Sequence, residues 1–301
     1  MITLEQLEEM RLKIKSKLTT IIAIAILAGI IIVLTGAEPF LLIIVVMGAI
    51  ILGVLLTHKQ RIEYTLAFKK FFVNTSLQSI FTDLKYSPEK GIARDVIAST
   101  KMMYMGDVYH SNDFISGKYK DIRFIQSDVH IEDERTRTDS NGNTETYYVT
   151  LFMGRWMIFE FNKPFKANIQ VCQKGFGNNR VGGGLFSNDI YHEVKLESLE
   201  FNKCFKTYAQ SEHEAFYILT PSLMEKIMKL DQLNDGKLLL CFVDNKLHVG
   251  LYDGKDSFEH APIFSAINPE QIKTNIATDI SKITMFIDEL DLDNDLFRRE
   301  V

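Results

Sequence analysis

The chain has 301 residues and a formal net charge of -5. Basic residues flank two apolar runs near the N-terminus, so the remainder is acidic and offers no general nucleic-acid-binding surface. Three widely spaced cysteines, Cys172, Cys204 and Cys241, form no CxxC pair, which argues for buried thiols and against a disulfide frame or a zinc site.

Thr3 and Gln6 have the spacing of a capping box ahead of LEQLEEMRLKIKSK, which predicts an amphipathic N-terminal helix over residues 1–17. Two stretches without any charged side chain follow, Leu18 to Thr35 and Pro39 to Thr57. At about 1.5 Å rise per residue, each approaches the roughly 30 Å of hydrocarbon that a helix must cross. A cleaved signal peptide is the first rival. Against it stand the length of the first run, a second run after only Gly36, Ala37 and Glu38, and the lack of a small-residue cleavage site. A pair of buried core helices is the second rival, but the tight turn with Pro39 opening the second run fits a transmembrane hairpin over residues 18–57 better.

Arg11, Lys13, Lys15 and Lys17 precede the hairpin, and Lys59, Arg61, Lys69 and Lys70 follow it, while the turn carries only Glu38. Positive charge stays on the cytoplasmic side, so both termini are expected there. Ala25 with Gly29, and Ala49 with Gly53, have the small-xxx-small spacing that lets helices approach closely, and no ionisable residue lies inside the runs to mark a transport path.

Residues 58–100 read as juxtamembrane helices. Ile62, Leu66, Val73, Leu77, Ile80 and Leu84 recur at near-helical spacing, and Ser87 with Pro88 reads as the cap of a further helix ending near Thr100. Lys59, Arg61, Lys69 and Lys70, beside Phe68, Phe71 and Phe72, are candidates for contact with anionic lipid, simple packing being the alternative.

Residues 101–301 read as a cytosolic α+β domain. Ile125 to Thr138 and Glu145 to Phe161 form the clearest β-hairpin, turning at DSNGN, with Gly154 expected at a bulge. Shorter strands are predicted at Met102 to His110, Lys166 to Lys174, Tyr191 to Leu196, Cys204 to Ala209, Lys237 to Val243 and Lys246 to Tyr252. Thr220-Pro221 and Asn268-Pro269 open two helices with apolar stripes, the second repeating Ile272, Ile276, Ile280, Ile283 and Ile287. The acidic end after Asp288 reads as frayed. Phe161 to Lys166 and Phe201 to Lys206 match at five of six positions, which a duplicated β-unit or shared turn chemistry would equally explain.

The glycine-rich stretch GFGNNRVGGGLFSND offers Arg180, Gly182, Gly183 and Gly184 as a weak anion-binding loop, lacking the lysine and serine of a P-loop. Ser211-Glu212-His213-Glu214 reads as a solvated turn, and nothing in the sequence gathers Asp189, His192 and Cys204 into a catalytic set. No metal or cofactor is expected.

A Gly-Asp-x-Tyr stretch leads to Asp113-Phe114-Ile115-Ser116-Gly117. Phe152-Met153-Gly154, Phe161-Asn162-Lys163-x-Phe165, Leu196-Glu197-Ser198, Phe201-Asn202-Lys203-x-Phe205 and Tyr217-Ile218-Leu219-Thr220-Pro221 follow in order. In this order the chain resembles, from about Lys85 to Tyr252, the bacterial membrane family called domain of unknown function 3137. The resemblance implies a protein of the bacterial cell membrane, from a family some of whose members come from gene neighbourhoods of LemA-type membrane proteins, with a LemA-type partner by analogy, no established activity and no catalytic residues. Two functional classes follow: a membrane-anchored interaction or regulatory module that binds a protein partner, a second copy or lipid headgroups, or a membrane-tethered hydrolase with a site assembled from loops.

Overall fold

The computed structural model describes residues 2–140, 142–161, 165–176, 191–260 and 262–292. The chain divides into two compact units, residues 1–76 with 258–277, and residues 77–257 with 278–301.

The first unit is built on two long helices, α1 (Leu4–Leu34) and α2 (Phe40–Phe68). The capping box is formed: Gln6 N donates to Thr3 Oγ1 at 3.2 Å, and Thr3 N to Gln6 Oε1 at 3.0 Å. With 31 and 29 residues, the helices run about 46 and 43 Å, so each carries an apolar run and a polar extension in one piece. Both are long and apolar enough to cross a membrane. Between them Gly36 adopts φ 65°. The amides of Gly36 and Ala37 return to the carbonyls of Val33 and Ile32, the paired bonds of a Schellman stop, which needs a residue able to enter the left-handed region.

The two helices are packed differently along their length. Toward the polar end Leu7, Arg11, Ile14 and Leu18 of α1, and Thr57, Tyr64, Ala67 and Phe68 of α2, are buried. Along the apolar runs the side chains face outward, Leu34 being 80% and Leu55 69% exposed. A π-helical turn, Lys69–Val73, and the short α3 (Asn74–Gln78) continue α2. The segment after Phe258 lies against the buried end: Arg11 Nη1 donates to the Ile263 carbonyl at 2.6 Å, and the His260 ring stands 5.4 Å edge-on to Tyr64.

The second unit carries a sheet that, among the described residues, has nine strands, all paired antiparallel. The strands are β1 (Thr82–Ser87), β2 (Val108–Tyr119), β3 (Ile122–Thr138), β4 (Thr144–Glu160), β5 (Ile169–Gln173), β6 (His192–Val194), β7 (Phe205–Ala209), β8 (Lys237–Val243) and β9 (Lys246–Tyr252), in the spatial order 1-2-3-4-9-8-5-7-6. This is the expected α+β class: two long apolar helices followed by an antiparallel sheet domain. One sheet face buries Val129, Ile131, Phe152, Trp156, Ile158, Leu239 and Cys241 against Ile92, Ile97, Met102, Met103 and Met105 from the segment between β1 and β2. Five short or medium helices complete the second unit or enter it: α4 (Arg94–Ala98), α5 (Leu199–Cys204), α6 (Glu212–Ile218), α7 (Pro221–Leu233) and α8 (Pro269–Glu289), the last divided between the units at residues 277 and 278.

Several expectations are corrected. The helical spacing read through Leu84 stops at Gln78, because Thr82 to Ser87 pairs with β2 instead. Ser87 caps no helix: Pro88 O accepts from Asp113 N at 3.1 Å, and only Arg94–Ala98 is helical. Met102, Met103 and Met105 belong to the core rather than to a strand, and β2 begins at Val108. The β3–β4 register shifts between Ile131 and Glu132, opposite Leu151, not at Gly154. Gly154 is required for another reason, since a Cβ there would stand 2.1 Å from the Leu251 carbonyl oxygen of β9. Ser211-Glu212-His213-Glu214 is no solvated turn but the start of α6, with Ser211 Oγ accepting from Glu214 N at 3.4 Å. Cys172 and Cys241 are buried as expected, whereas Cys204 is exposed.

Candidate functional site

Two places in the structure gather chemistry, one in each unit. The first is an elongated groove of about 530 Å³ between α1 and α2. Leu18, Ile21, Ile22, Ala25, Ile26 and Gly29 line it from α1, and Val46, Ala49, Ile50, Gly53 and Val54 from α2. The small residues create it. Gly53 lets Leu18 approach to within 3.4 Å of the place a Cβ would take, and Gly29 lets Leu42 approach to within 3.5 Å. Arg61 and Phe264 stand at one end. Arg61 Nε donates to Thr57 Oγ1 at 3.1 Å, and the buried Thr57 hydroxyl donates to Gly53 O at 2.7 Å.

Of the residues singled out for lipid contact, Lys59, Arg61 and Lys70 are exposed, while Lys69 is buried in the π-helical turn. Lys59 reaches Glu63 at 3.9 Å along the helix, a pair that contributes little at such exposure. Arg180, Gly182, Gly183 and Gly184 lie outside the described residues, as does Asp189.

The second place is a cluster of carboxylates, Asp113, Asp128 and Asp256, each offering an oxygen within 4.8 Å of the others. β2 and β3 set the first two side by side, since Asn112 pairs with Asp128. A register shift between Asn112 and Ile115, with Asp113 at φ 53°, turns the Asp113 side chain out of the strand's alternation. Tyr86 Oη donates to Asp113 Oδ1 at 2.6 Å, and Asn112 Nδ2 to Asp113 Oδ2 at 3.0 Å. Asp128 accepts from Ser257 N at 2.6 Å and from Ser257 Oγ at 2.7 Å.

Burial and then the neighbouring Asp256 push the Asp128 carboxyl well above its ordinary range, with the Arg155 charge opposing. Burial first and Asp113 second also raise the Tyr86 phenol, which therefore stays a donor. Arg155 is itself engaged by Asp279, through the carbonyl at 2.8 Å and through the side chain. All-oxygen donors of this kind are those a hard divalent cation takes. Here Asp128 and Asp113 already accept from neighbouring donors. The arrangement ties β2 and β3 to the segment after β9. The sequence carries one signal for it, the Asp113-Phe114-Ile115-Ser116-Gly117 stretch; the other partners lie far along the chain and meet only through strand register.

A groove in this unit, of about 620 Å³, is lined by Asp83, Lys85, Lys118, Arg123 and Glu160 beside apolar neighbours. Lys118 and Asp83 pair across it at 2.8 Å. Cys204 and His192 are exposed at the β5–β7–β6 side of the sheet, and neither lines either groove.

The fold and these sites define a mixed α+β protein with two candidate membrane-spanning helices. Residues 150–292, just under half of the chain, match the family described as "Protein of unknown function (DUF3137)", so the resemblance read from the motifs is shown over that range. The match starts inside β4 and extends past Tyr252 through α8. No curated protein matches the chain. Among solved structures, the chain is similar to the "crystal structure of the mycobacterial trehalose monomycolate transport factor A, TtfA" at 10% identity and a TM-score of 0.40, with 78% of this chain and 98% of that one covered. A likeness at that level carries no argument about function.

Proposed function

We propose that this chain is a membrane-anchored interaction or regulatory module, held by the α1–α2 hairpin with both termini on the cytoplasmic side. The observation that carries the reading is the outward-facing apolar surface of both helices, where Val33, Leu34, Phe40 and Leu55 are each at least 65% exposed. Water would oppose so continuous an apolar surface, and a bilayer removes the cost. The distribution of lysine and arginine around the hairpin supports the orientation. In this reading residues 1–17, 18–57, 58–100 and 101–301 serve as N-terminal helix, hairpin, juxtamembrane helices and cytosolic domain. Partners are lipid headgroups, a second copy, or a membrane protein of the LemA type that the family resemblance suggests.

A deep cleft gathering His192 or His213 with a cysteine or carboxylates would favour the hydrolase reading. Both histidines are exposed, and neither lines the two grooves, which favours the module. The test is extraction of membranes with alkaline carbonate. The full chain is expected to stay in the pellet, and a chain lacking residues 1–57 to leave it. Release of the full chain would sink the anchored reading.

A further inference from the structure

We infer that the α1–α2 groove is a binding site for one anionic glycerophospholipid, an acyl chain lying along the small-residue channel and the phosphate resting on Arg61. The inference rests on the anchored reading and assigns a ligand to the hairpin itself. A groove of about 530 Å³ falls within the roughly 300–1,000 Å³ of sites that enclose a small ligand. Its walls along both helices are wholly apolar, from Leu18 to Gly29 on α1 and from Val46 to Val54 on α2. That suits a hydrocarbon chain and excludes a polar ligand from the channel.

The end of the channel supplies the charge. Arg61 stands one helical turn past Thr57, the last residue of the apolar run. Side chains on a helix lean toward its N-terminus, which for α2 means toward the channel. The bond from Nε to Thr57 Oγ1 at 3.1 Å fixes that lean, and Thr57 is in turn held by Gly53 O. No carboxylate among the described residues pairs with Arg61. Its terminal nitrogens therefore remain for an outside anion, and a guanidinium fork matches a phosphate in two parallel bonds. Phe264 flanks the same end, half exposed at 52%, where an aromatic ring can rest on the glycerol region. A cation at the boundary of an apolar channel is the complement of a lipid with an anionic head and an apolar tail. A second copy of the hairpin would fill the channel but leave Arg61 without a counter-ion.

Native mass spectrometry of the full chain, released from mixed phosphatidylglycerol and phosphatidylcholine nanodiscs, tests this. The wild type is expected to retain one lipid per chain, with phosphatidylglycerol preferred. Arg61→Gln should keep a retained lipid but lower that preference about fivefold, the worth of one cation near a membrane surface. Ala25→Leu with Ala49→Leu fills the channel and should abolish retention of either lipid while far-UV circular dichroism shows the helices intact. Unchanged preference in Arg61→Gln, unchanged retention in the filled-channel variant, or a wild-type dimer without lipid would each overturn the site. Carbonate extraction of the same variants separates the two levels. Chains that stay in the membrane without showing these lipid effects refute the site alone, whereas a wild type that leaves the membrane refutes the anchor as well.

Discussion

Two buried titratable residues make opposite contributions to the pH dependence of the sheet unit. Trp156 Nε1 donates to His248 Nδ1 at 3.3 Å, a bond that requires an unprotonated Nδ1, and burial holds the imidazole down to about 4. Between about pH 4 and the ordinary histidine value the unfolded chain binds the proton that the folded chain refuses, so stability rises with pH through that window. A shift from 6.5 to about 4 corresponds to about 3 kcal/mol when fully expressed. Asp128 has the opposite sign: its raised folded value makes the fold hold a proton that the unfolded chain has lost. Its contribution is complete below the ordinary carboxylate value and declines as pH rises from there toward the folded value. Thermal unfolding of the detergent-solubilised chain from pH 4 to pH 8 is expected to gain stability less steeply with pH than the histidine alone dictates. Asp128→Asn should steepen the rise, and His248→Phe should leave only the decline. An unchanged profile in Asp128→Asn would show that the carboxyl is ionised in the fold.

At the scale of elements, the sequence was most legible where local chemistry and tertiary pairing agree. Lys237 to Val243 and Lys246 to Tyr252 are short, largely apolar runs on either side of an Asp244-Asn245 turn, and become β8 and β9 with the expected ends. Thr220 and Asn268 cap α7 and α8 as their prolines announce, with Leu223 N donating to Thr220 Oγ1 at 3.3 Å and Gln271 N to Asn268 Oδ1 at 3.3 Å. Legibility failed where a distant partner decided the outcome. Thr82 to Ser87 becomes strand because the unpaired edge of β2 offers it a ladder, overriding a local helix signal. Most of the carboxylate junction was hidden for the same reason, since Asp128 and Asp256 meet through register and chain return rather than spacing. Gly154→Ala should destabilise the β4–β9 pairing by about 1–3 kcal/mol, because the new methyl meets the backbone oxygen of Leu251 and not a yielding side chain. Ile283→Ala in α8, whose side chain is fully buried, should lose about 2–5 kcal/mol through the cavity it leaves. Denaturant titration measures both, and wild-type midpoints would contradict the packing described.

At the scale of the whole molecule, the hairpin carries two kinds of surface. A polar end with buried Leu7, Arg11, Ile14 and Tyr64 and apolar runs with outward-facing side chains describe helices made for two solvents. The basic residues at the polar end give the pair a direction. The most direct measurement uses the exposed Cys204 as an internal marker. Intact cells carrying the full chain with Ala37→Cys are treated with a membrane-impermeant thiol reagent. Residue 37 should be labelled in intact cells, and Cys204 only after permeabilisation. Labelling of Cys204 from outside with residue 37 protected would contradict the account.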